Sequence, residues 1–467
     1  MSLERAPANV TAARQVAYEV VRRTFEQGAW TDRAFTGVAG RFELDGRELA
    51  QARRLSYGAV QRRGTSDHLI AQLARRRLER IDPPALAALR IALYELLFFD
   101  HRADHAVVDQ AVELTRFGFG ASAGSKRTKA AAGFVNALLR RAAAEGEALL
   151  AGLDDSSAEG AAVVHSYPPW LARMWWEELG AVEARLAMAA MNEPAEAAFR
   201  VNSLRADPEQ VAAELRAAGV EVEGPGQENG GLLHPSTSLV LRLADERVGA
   251  RVAAGELVPQ SRGSQAVVEL LDPRPGERVL DLCAGPGIKT TAIAARMQGE
   301  GELVCFESNP GRGEELGRLC ERTGAGWARI EVADAAERDL GAGYDRILLD
   351  PPCSDLGTLA SRPDARWRKT PELRDRLATL QKRLLVRAAR ALAPGGTLVY
   401  STCTISEREN ESVVGELSGY EPELEPDRLG DQHPRLASRR DPRFLQLLPQ
   451  RDRTSGFFIA RYRRRAA

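Results

Sequence analysis

The chain has little lysine. Of its 64 Lys and Arg residues only five are Lys (126, 129, 289, 369 and 382), which leaves 59 Arg. Lysine at any one position is therefore informative, and Lys289 stands inside a glycine loop, where a compact ammonium is wanted. Cysteine is also scarce: Cys283, Cys305, Cys320, Cys353 and Cys403 are the five, and none precedes residue 283. They are odd in number, widely spaced and form no CxxC, and the six histidines are scattered. Those absences argue against a disulfide framework and against a zinc or other metal site, and they fit the reducing cytoplasm. Long hydrophobic runs are missing too. The strongest, near Leu93 to Phe99, is far too short for a bilayer, and the opening MSLERAPANV has no apolar core of a secretion signal. No coiled-coil seam is present, so nothing points to an oligomeric state or to a protein partner.

A strong net charge is missing as well, at −1 for 467 residues, but the layout is uneven. Residues 1–150 carry 23 Lys and Arg against 17 Asp and Glu, residues 151–250 carry 7 against 16, and residues 251–467 carry 34 against 32. The basic N-terminal part is compatible with a polyanionic partner, and equally with a solvated surface. The length allows two to four domains with proper cores.

What is present centres on Arg278 to Lys289, RVLDLCAGPGIK. A short apolar run ends in a loop with Gly285 and Gly287, and a helix-forming stretch follows from Thr290 to Met297. This is the strand, glycine loop and helix order of a nucleotide-type cofactor site. The G-P-G spacing departs from that of dinucleotide binders. From about residue 264 strands alternate with helices: Arg278–Leu282, Leu303–Phe306, Ala328–Val332, Arg346–Leu349 and Thr397–Ser401, with a long helix from Pro371 to Leu392 striped by Leu373, Leu377, Leu380, Leu384 and Leu392. That alternation implies a mainly parallel sheet with ligands beyond the strand C-termini. Phe444–Leu448 and Phe457–Tyr462 have no helix between them and are expected as an antiparallel edge.

Upstream, residues 1–145 read as all helical, from Ala12–Glu26, Leu69–Leu78, Ala85–Phe99, Val107–Arg116 and Ala131–Ala144. Pro83 and Pro84 suit a helix start. Gly118, Gly120 and Gly124 are expected to mark a loop that carries Lys126, Arg127 and Lys129, a candidate phosphate contact. Residues 150–165 read as a linker. Tyr167 to Trp170 begin a helical piece whose Trp175 and Trp176 fit a core better than a base-stacking surface. A small α/β segment then has strands at Phe199–Leu204, Val220–Val222, Ser238–Leu243 and Leu257–Pro259, with a helix at Asp207–Ala218.

The strand ends carry the chemistry. Glu307 ends the second strand, 26 residues after Asp281, where a carboxylate can accept both ribose hydroxyls. Asp334 follows the third and could bond an adenine amino group. Asp350-Pro351-Pro352-Cys353 ends the fourth, stiffened by two prolines. Cys403 ends the fifth, in YSTCT. A lone strand-end cysteine is usually a small buried hydrophobe. Two cysteines at adjacent strand ends beside an Asp fit one reaction. A thiolate adds to carbon 6 of cytosine, carbon 5 takes a methyl group, a base removes the C5 proton, and the thiol leaves again. Asp350 at the ring N3 edge would stabilise the adduct, and electropositive surroundings would lower the nucleophile's pKa.

DLCAGPGIKT, DPPCSDLGT and YSTCTISEREN resemble the motifs of the RNA cytosine-C5 methyltransferases, and VNALLRR (Val135 to Arg141) with its helical array resembles NusB-type RNA-binding domains. Over about residues 10–465 the chain resembles the bacterial 16S rRNA cytosine-C5 methyltransferases of the RsmB (Sun) type. The resemblance implies an α/β Rossmann-like methyltransferase domain at 263–467, a small α/β RNA-binding subdomain at 164–262 and an all-α NusB-like domain at 1–148. It implies Cys403 as nucleophile and Cys353 in product release. It assigns S-adenosyl-L-methionine to Cys283, Ala284, Gly285, Pro286, Gly287, Ile288, Lys289, Glu307, Asp334 and Asp350, and RNA, foremost 16S rRNA, as substrate. Three positions depart from the family pattern: Ile288 for a second glycine, Ser455 for an Asp before GFF, and Ser261 for an Asp after Gln260. The competing readings are a tRNA cytosine-C5 enzyme, an amino-group methyltransferase, and a non-catalytic RNA-binding factor.

Overall fold

The structure is a computed structural model that describes residues 6–100, 103–224, 231–241 and 246–466. It divides into two compact units. One comprises residues 1–193 together with 359–368, the other residues 194–358 together with 369–467.

The first unit is helical: α1 (Ala12–Glu26), α2 (Thr31–Ala39), α3 (Gly46–Gln61), α4 (Arg63–Ala74), α5 (Pro83–Phe98), α6 (Asp104–Gly118), α7 (Lys126–Ala151), α8 (Ala158–His165), α9 (Pro169–Leu179) and α10 (Ala181–Ala190). Helix α5 is apolar around most of its circumference, so it is enclosed by α1, α3, α4, α6 and α7. Its Leu89, Leu93 and Leu96 meet Leu55, Ile70 and Leu139 in the core. Arg90 on the same helix is buried because Asp67 receives it twice, at 2.7 and 2.8 Å.

Several expectations are corrected here. Helices α2 and α3 were not expected, although Asp45 and Glu48 form a reciprocal capping box at the start of α3. The helix expected over Leu69–Leu78 is α4, which stops where Arg75 turns left-handed at φ 49°. Lys126, Arg127 and Lys129 are not in a loop but on the exposed first turn of α7, because Ser125 accepts the Thr128 N–H at 3.2 Å and caps the helix early. The expected linker contains α8, capped by Ser157 and packed through Ala161 and Ala162. Trp175 is fully buried edge-on to Tyr167, a core role.

Residues 359–368 leave the sequence of the second unit and pack into the first. Arg366, with no exposed surface, gives hydrogen bonds to Ser166 O at 3.1 Å and Asn192 Oδ1 at 2.9 Å and lies 4.1 Å from the centre of the Tyr167 ring. Trp367 Nε1 donates to Val60 O at 2.8 Å.

The second unit has two sheets. The smaller is antiparallel, formed by β1 (Ala197–Val201), β2 (Val222–Glu223), β3 (Ser238–Leu241) and β4 (Leu257–Pro259) in the order β2-β3-β1-β4. Residues 242 and 243 of the expected third strand lie outside the described residues. Helices α11 (Pro208–Ala217) and α12 (Glu246–Ala253) accompany it. The larger sheet holds β5 (Arg278–Asp281), β6 (Glu302–Phe306), β7 (Arg329–Glu331), β8 (Tyr344–Leu349), β9 (Leu392–Thr402), β10 (Leu424–Pro426), β11 (Leu445–Leu447) and β12 (Phe457–Arg464). Its order is β10-β12-β9-β8-β5-β6-β7, with β11 also on β12. Strands β5 to β9 pair in parallel, and β10, β11 and β12 add antiparallel, as the sequence implied except for β10.

Alternate strand residues feed two cores. Leu280, Val304, Ile347 and Leu398 face α16 (Pro371–Ala391) through Leu384, Leu385 and Ala388. Val279, Leu303, Leu348 and Val399 face α13 (Arg262–Leu271), α14 (Ile288–Arg296) and α15 (Pro310–Thr323). The chain runs outward from β5 to β7 and then returns to place β8 on the other side of β5, so the switch point lies between β5 and β8. No described helix is long and apolar enough to cross a membrane.

Arg366→Ala should strip buried acceptors of their donor and leave a cavity. The expected cost is about 2–4 kcal/mol, read as a lower urea midpoint of the helical unit by circular dichroism.

Candidate active site

The glycine loop follows β5. Gly285 takes φ 56° and Gly287 φ 97°, conformations that suit glycine. A Cβ on Gly287 would lie 2.7 Å from Leu316 Cδ1, whereas one on Gly285 would meet no atom within 4 Å, so the loop packs closely on α15 at Gly287 and is open at Gly285. Ile288 begins α14 and has no positive φ, so its branched side chain is accommodated. Ser261 does what an Asp would do there, capping α13 by accepting the Ser264 N–H at 3.3 Å.

Cys283, Glu307, Asp334 and Asp350 gather around this loop. Burial raises the Cys283 thiol pKa, and the charges of Asp281, Asp350, Glu307 and Asp334 all push it the same way. Glu307 is buried at the end of β6 and accepts Asn309 N–H at 2.7 Å and Arg312 at 2.8 and 3.1 Å, all on Oε1. Asp334 is exposed and holds the turn after β7 by accepting Ala336 N–H at 2.8 Å. Asp281, behind the loop, accepts the Thr290 hydroxyl at 2.7 Å, and burial lifts its pKa to about 6.

Lys289 is paired with Asp350. Its Nζ donates to Asp350 Oδ2 at 2.6 Å and lies 5.3 Å from the centre of the Phe457 ring. Burial opposes its charge, and the Asp350 carboxylate outweighs that, so its pKa is raised. Ser401 Oγ holds the other Asp350 oxygen at 3.0 Å.

The two cysteines come together across the β8–β9 pair. Cys353 Sγ and Cys403 Sγ are 3.3 Å apart. Both thiols also reach Asp355 Oδ1, at 3.2 Å from Cys403 and 3.7 Å from Cys353, while Lys369 Nζ donates to Asp355 Oδ2 at 2.9 Å. The donor atoms of Cys353, Asp355 and Cys403 lie within 4.8 Å of one another. With an ammonium already on the carboxylate, the chemistry of the trio is that of two thiols sharing a proton acceptor.

The expected lowering of the Cys403 pKa is overturned. A hydrogen bond from Cys353 favours its thiolate, but burial and the charges of Asp355 and Asp350 outweigh it, so the thiol is raised above its ordinary value. Cys353 is raised further, by its hydrogen bond to Cys403 and by burial.

Four further residues escaped the sequence reading. Asp355 is two positions beyond Cys353, and Lys369 is one of only five lysines, a signal that was available. Ser401 carried none. Glu409, fully buried, binds the cysteine loops together. It accepts Ser354 N–H at 2.8 Å, the Ser354 hydroxyl, and Gln381 Nε2 at 3.1 Å, while Ser354 Oγ contacts Thr404 Oγ1 at 2.8 Å. Burial raises the Glu409 pKa despite those donors.

A Rossmann-like sheet with a glycine loop at its switch point, in a chain that also carries a helical unit, is the architecture of a cofactor-dependent enzyme with an added helical domain, and sequence comparison gives the class as a methyltransferase. The family described as "16S rRNA methyltransferase RsmB/F" matches residues 268–463, the NusB family matches 11–144, and the ferredoxin-like domain of RsmF/B-like methyltransferases matches 167–233. "Ribosomal RNA small subunit methyltransferase B" of Thermus thermophilus is 34% identical over 423 residues, covering 90% of this chain and 89% of that one. The protein of the same name from Xanthomonas campestris is 29% identical over 98% of both chains. The crystal structure of PH0851 superposes with a TM-score of 0.80 at 25% identity, over 99% of this chain and 100% of that one. The chain belongs to the RsmB/F family of 16S rRNA methyltransferases.

Asp281 gives a pH test. Its pKa in the folded protein, about 6, lies above the ordinary 3.8, so the folded state holds a proton that the unfolded chain has released. Stability from this group is complete below pH 3.8 and is lost as pH rises through 6, by about 3 kcal/mol. In Asp281→Asn, urea unfolding between pH 4 and 7 should lack that part of the wild-type decline.

Proposed function

We propose that this protein methylates carbon 5 of a cytosine in 16S rRNA through a covalent bond between Cys403 and carbon 6, with S-adenosyl-L-methionine as methyl donor. The observation that carries this reading is the pair of thiols 3.3 Å apart at the ends of neighbouring parallel strands, with Asp350 held beside them.

The cofactor fits the residues present. Gly285 borders open space, and the three donors on Glu307 converge on Oε1, which leaves Oε2 for ribose hydroxyls. Residues 283–289, Glu307, Asp334 and Asp350 would hold it. When bound it supplies an electrophilic methyl group. The chain's own residues do the rest. Cys403 Sγ would bond carbon 6, and the electrons of the opened 5,6 double bond make carbon 5 nucleophilic and load N3, a charge that the Lys289 ammonium, held by Asp350, would offset. After carbon 5 is methylated its proton leaves, the sulfur–carbon bond breaks, and Cys353 assists that departure. Lys126 and Lys129, exposed on the first turn of α7, are offered to RNA phosphates. Such an enzyme works in the cytoplasm, where ribosomal RNA is made.

The test is tritium release from deproteinised small-subunit rRNA carrying [5-³H]cytosine. The wild type should release tritium with S-adenosylmethionine present. Methyl transfer without release would mean amino or ribose methylation, and no transfer to this RNA would leave a binding factor or a tRNA enzyme. Cys403→Ala should abolish release. Cys353→Ala should accumulate a protein–RNA adduct that survives a denaturing gel, and normal turnover without an adduct would sink its release role.

A further inference from the structure

The pairing of two raised thiols with one carboxylate leaves a question of proton transfer. A thiol that is protonated at rest must lose its proton as it attacks, and the thiol partner 3.3 Å away is held more firmly in its own protonated form. The acceptor nearest to Cys403 other than that thiol is Asp355 Oδ1, at 3.2 Å.

We infer that Asp355 is the proton acceptor for the Cys403 nucleophile, with Lys369 as the positioning residue that turns its carboxylate onto the sulfur. This deepens the cytosine-C5 reading and rests on it. Three observations support the assignment. Asp355 Oδ1 is shared by both sulfurs, and Oδ2 is anchored by Lys369 at 2.9 Å, so the carboxylate is oriented from behind. Lys369 is one of only five lysines in a chain whose cationic positions are otherwise arginine. A single ammonium holds one oxygen and leaves the other to the thiols, where a guanidinium would tend to take both. Asp355 also occupies a left-handed backbone conformation, φ 58°. Glycine would sit there without strain, yet the position carries a side chain, and that side chain faces the thiols.

The step balances. As Cys403 Sγ forms its bond to carbon 6, the S–H bond breaks and the proton passes to Asp355 Oδ1. On elimination the C6–S electrons return to sulfur, which takes that proton back from Asp355. The proton lost from carbon 5 is the one released to solvent. The charged and titratable groups around the pair are Cys353 on the same loop, Asp350 with Lys289, Lys369 ahead of α16, and Glu409, whose charge bears on Cys353.

The carboxylate has two opposed effects on Cys403, and they separate by experiment. Its negative charge keeps the resting thiol protonated, and its basicity assists attack. Asp355→Asn keeps the shape, and Asp355→Gly fits the left-handed backbone better than the wild type does, so at least one variant folds. Each would be compared with wild type in two assays between pH 6 and 9. The first is iodoacetamide alkylation of the Cys403 peptide in the RNA-free protein, quantified by mass spectrometry. The second is single-turnover C5 methylation of deproteinised small-subunit rRNA. In the variants we expect faster alkylation of Cys403, with its pH profile moved to lower pH. We expect methylation at pH 7 to fall by about 10²-fold or more, the usual contribution of a positioned base. The lost rate should return about tenfold per pH unit toward pH 9, as thiolate forms without help. Lys369→Met should reduce methylation less and leave the acid side of its profile steeper.

Methylation in Asp355→Asn and Asp355→Gly that equals or exceeds wild type would overturn the inference and make Asp355 an electrostatic brake. A parallel fall in alkylation and methylation would also overturn it, in favour of a structural role in the loop. If the wild type itself forms no 5-methylcytosine, the proposed function fails and this role fails with it. Loss confined to the variants leaves that function standing.

Discussion

The parallel pairing of β8 between β5 and β9 is the constraint on which the site depends. Parallel neighbours end on the same side of a sheet, so residues following β5, β8 and β9 must meet there whatever their separation in sequence. Cys353 and Cys403, 50 residues apart, are thereby brought to 3.3 Å. The same pairing places Asp350 where Lys289 from the first turn of α14 and Ser401 from β9 each take one of its oxygens. Three strand ends are thus tied together by a single carboxylate.

The loops beyond those strands are then fixed to each other by buried polar groups. Glu409 receives Ser354 and Gln381, and Gly357 N–H donates to Cys403 O at 2.9 Å while its carbonyl accepts Gly456 N–H at 2.8 Å. A Cβ on Gly357 would lie 2.2 Å from Gly456 O, so glycine is required for that approach. A buried polar network of this kind is costly where a member is unpartnered; both Glu409 oxygens and the Ser354 hydroxyl are partnered, whereas Gln381 Oε1 is not.

Two of the five lysines, Lys289 and Lys369, each bind one of the two aspartates beside the cysteines. The site thus contains two ion pairs and two neutral thiols. Such an arrangement favours the protonated form of both thiols and keeps a carboxylate within reach of them.

Much of this was readable in advance. Strands buried on both faces read as short apolar runs and a helix with an apolar stripe reports its own period, so β5, β6, β8, β12 and α16 were located to within two residues, whereas β9 begins at Leu392, five residues before the expected Thr397. The cysteines and Asp350 were singled out because they lie in short motifs at strand ends. Helix α8 was missed because its buried face is short and built from alanine, which gives little periodic contrast, whereas α2 and α3 carried a readable stripe in Phe35, Val38, Leu55 and Val60 that was overlooked. The direction of the Cys403 pKa was misread because it depends on which charges surround the sulfur, and Asp355 arrives there through a left-handed turn that no local pattern announced. Local sequence determined element type, the glycine loop and which side chains were candidates for the site, since these depend on near neighbours along the chain. Distance, hydrogen-bond partner and proton affinity were decided by tertiary structure, since each is set by groups that only the folded sheet brings within a few ångströms.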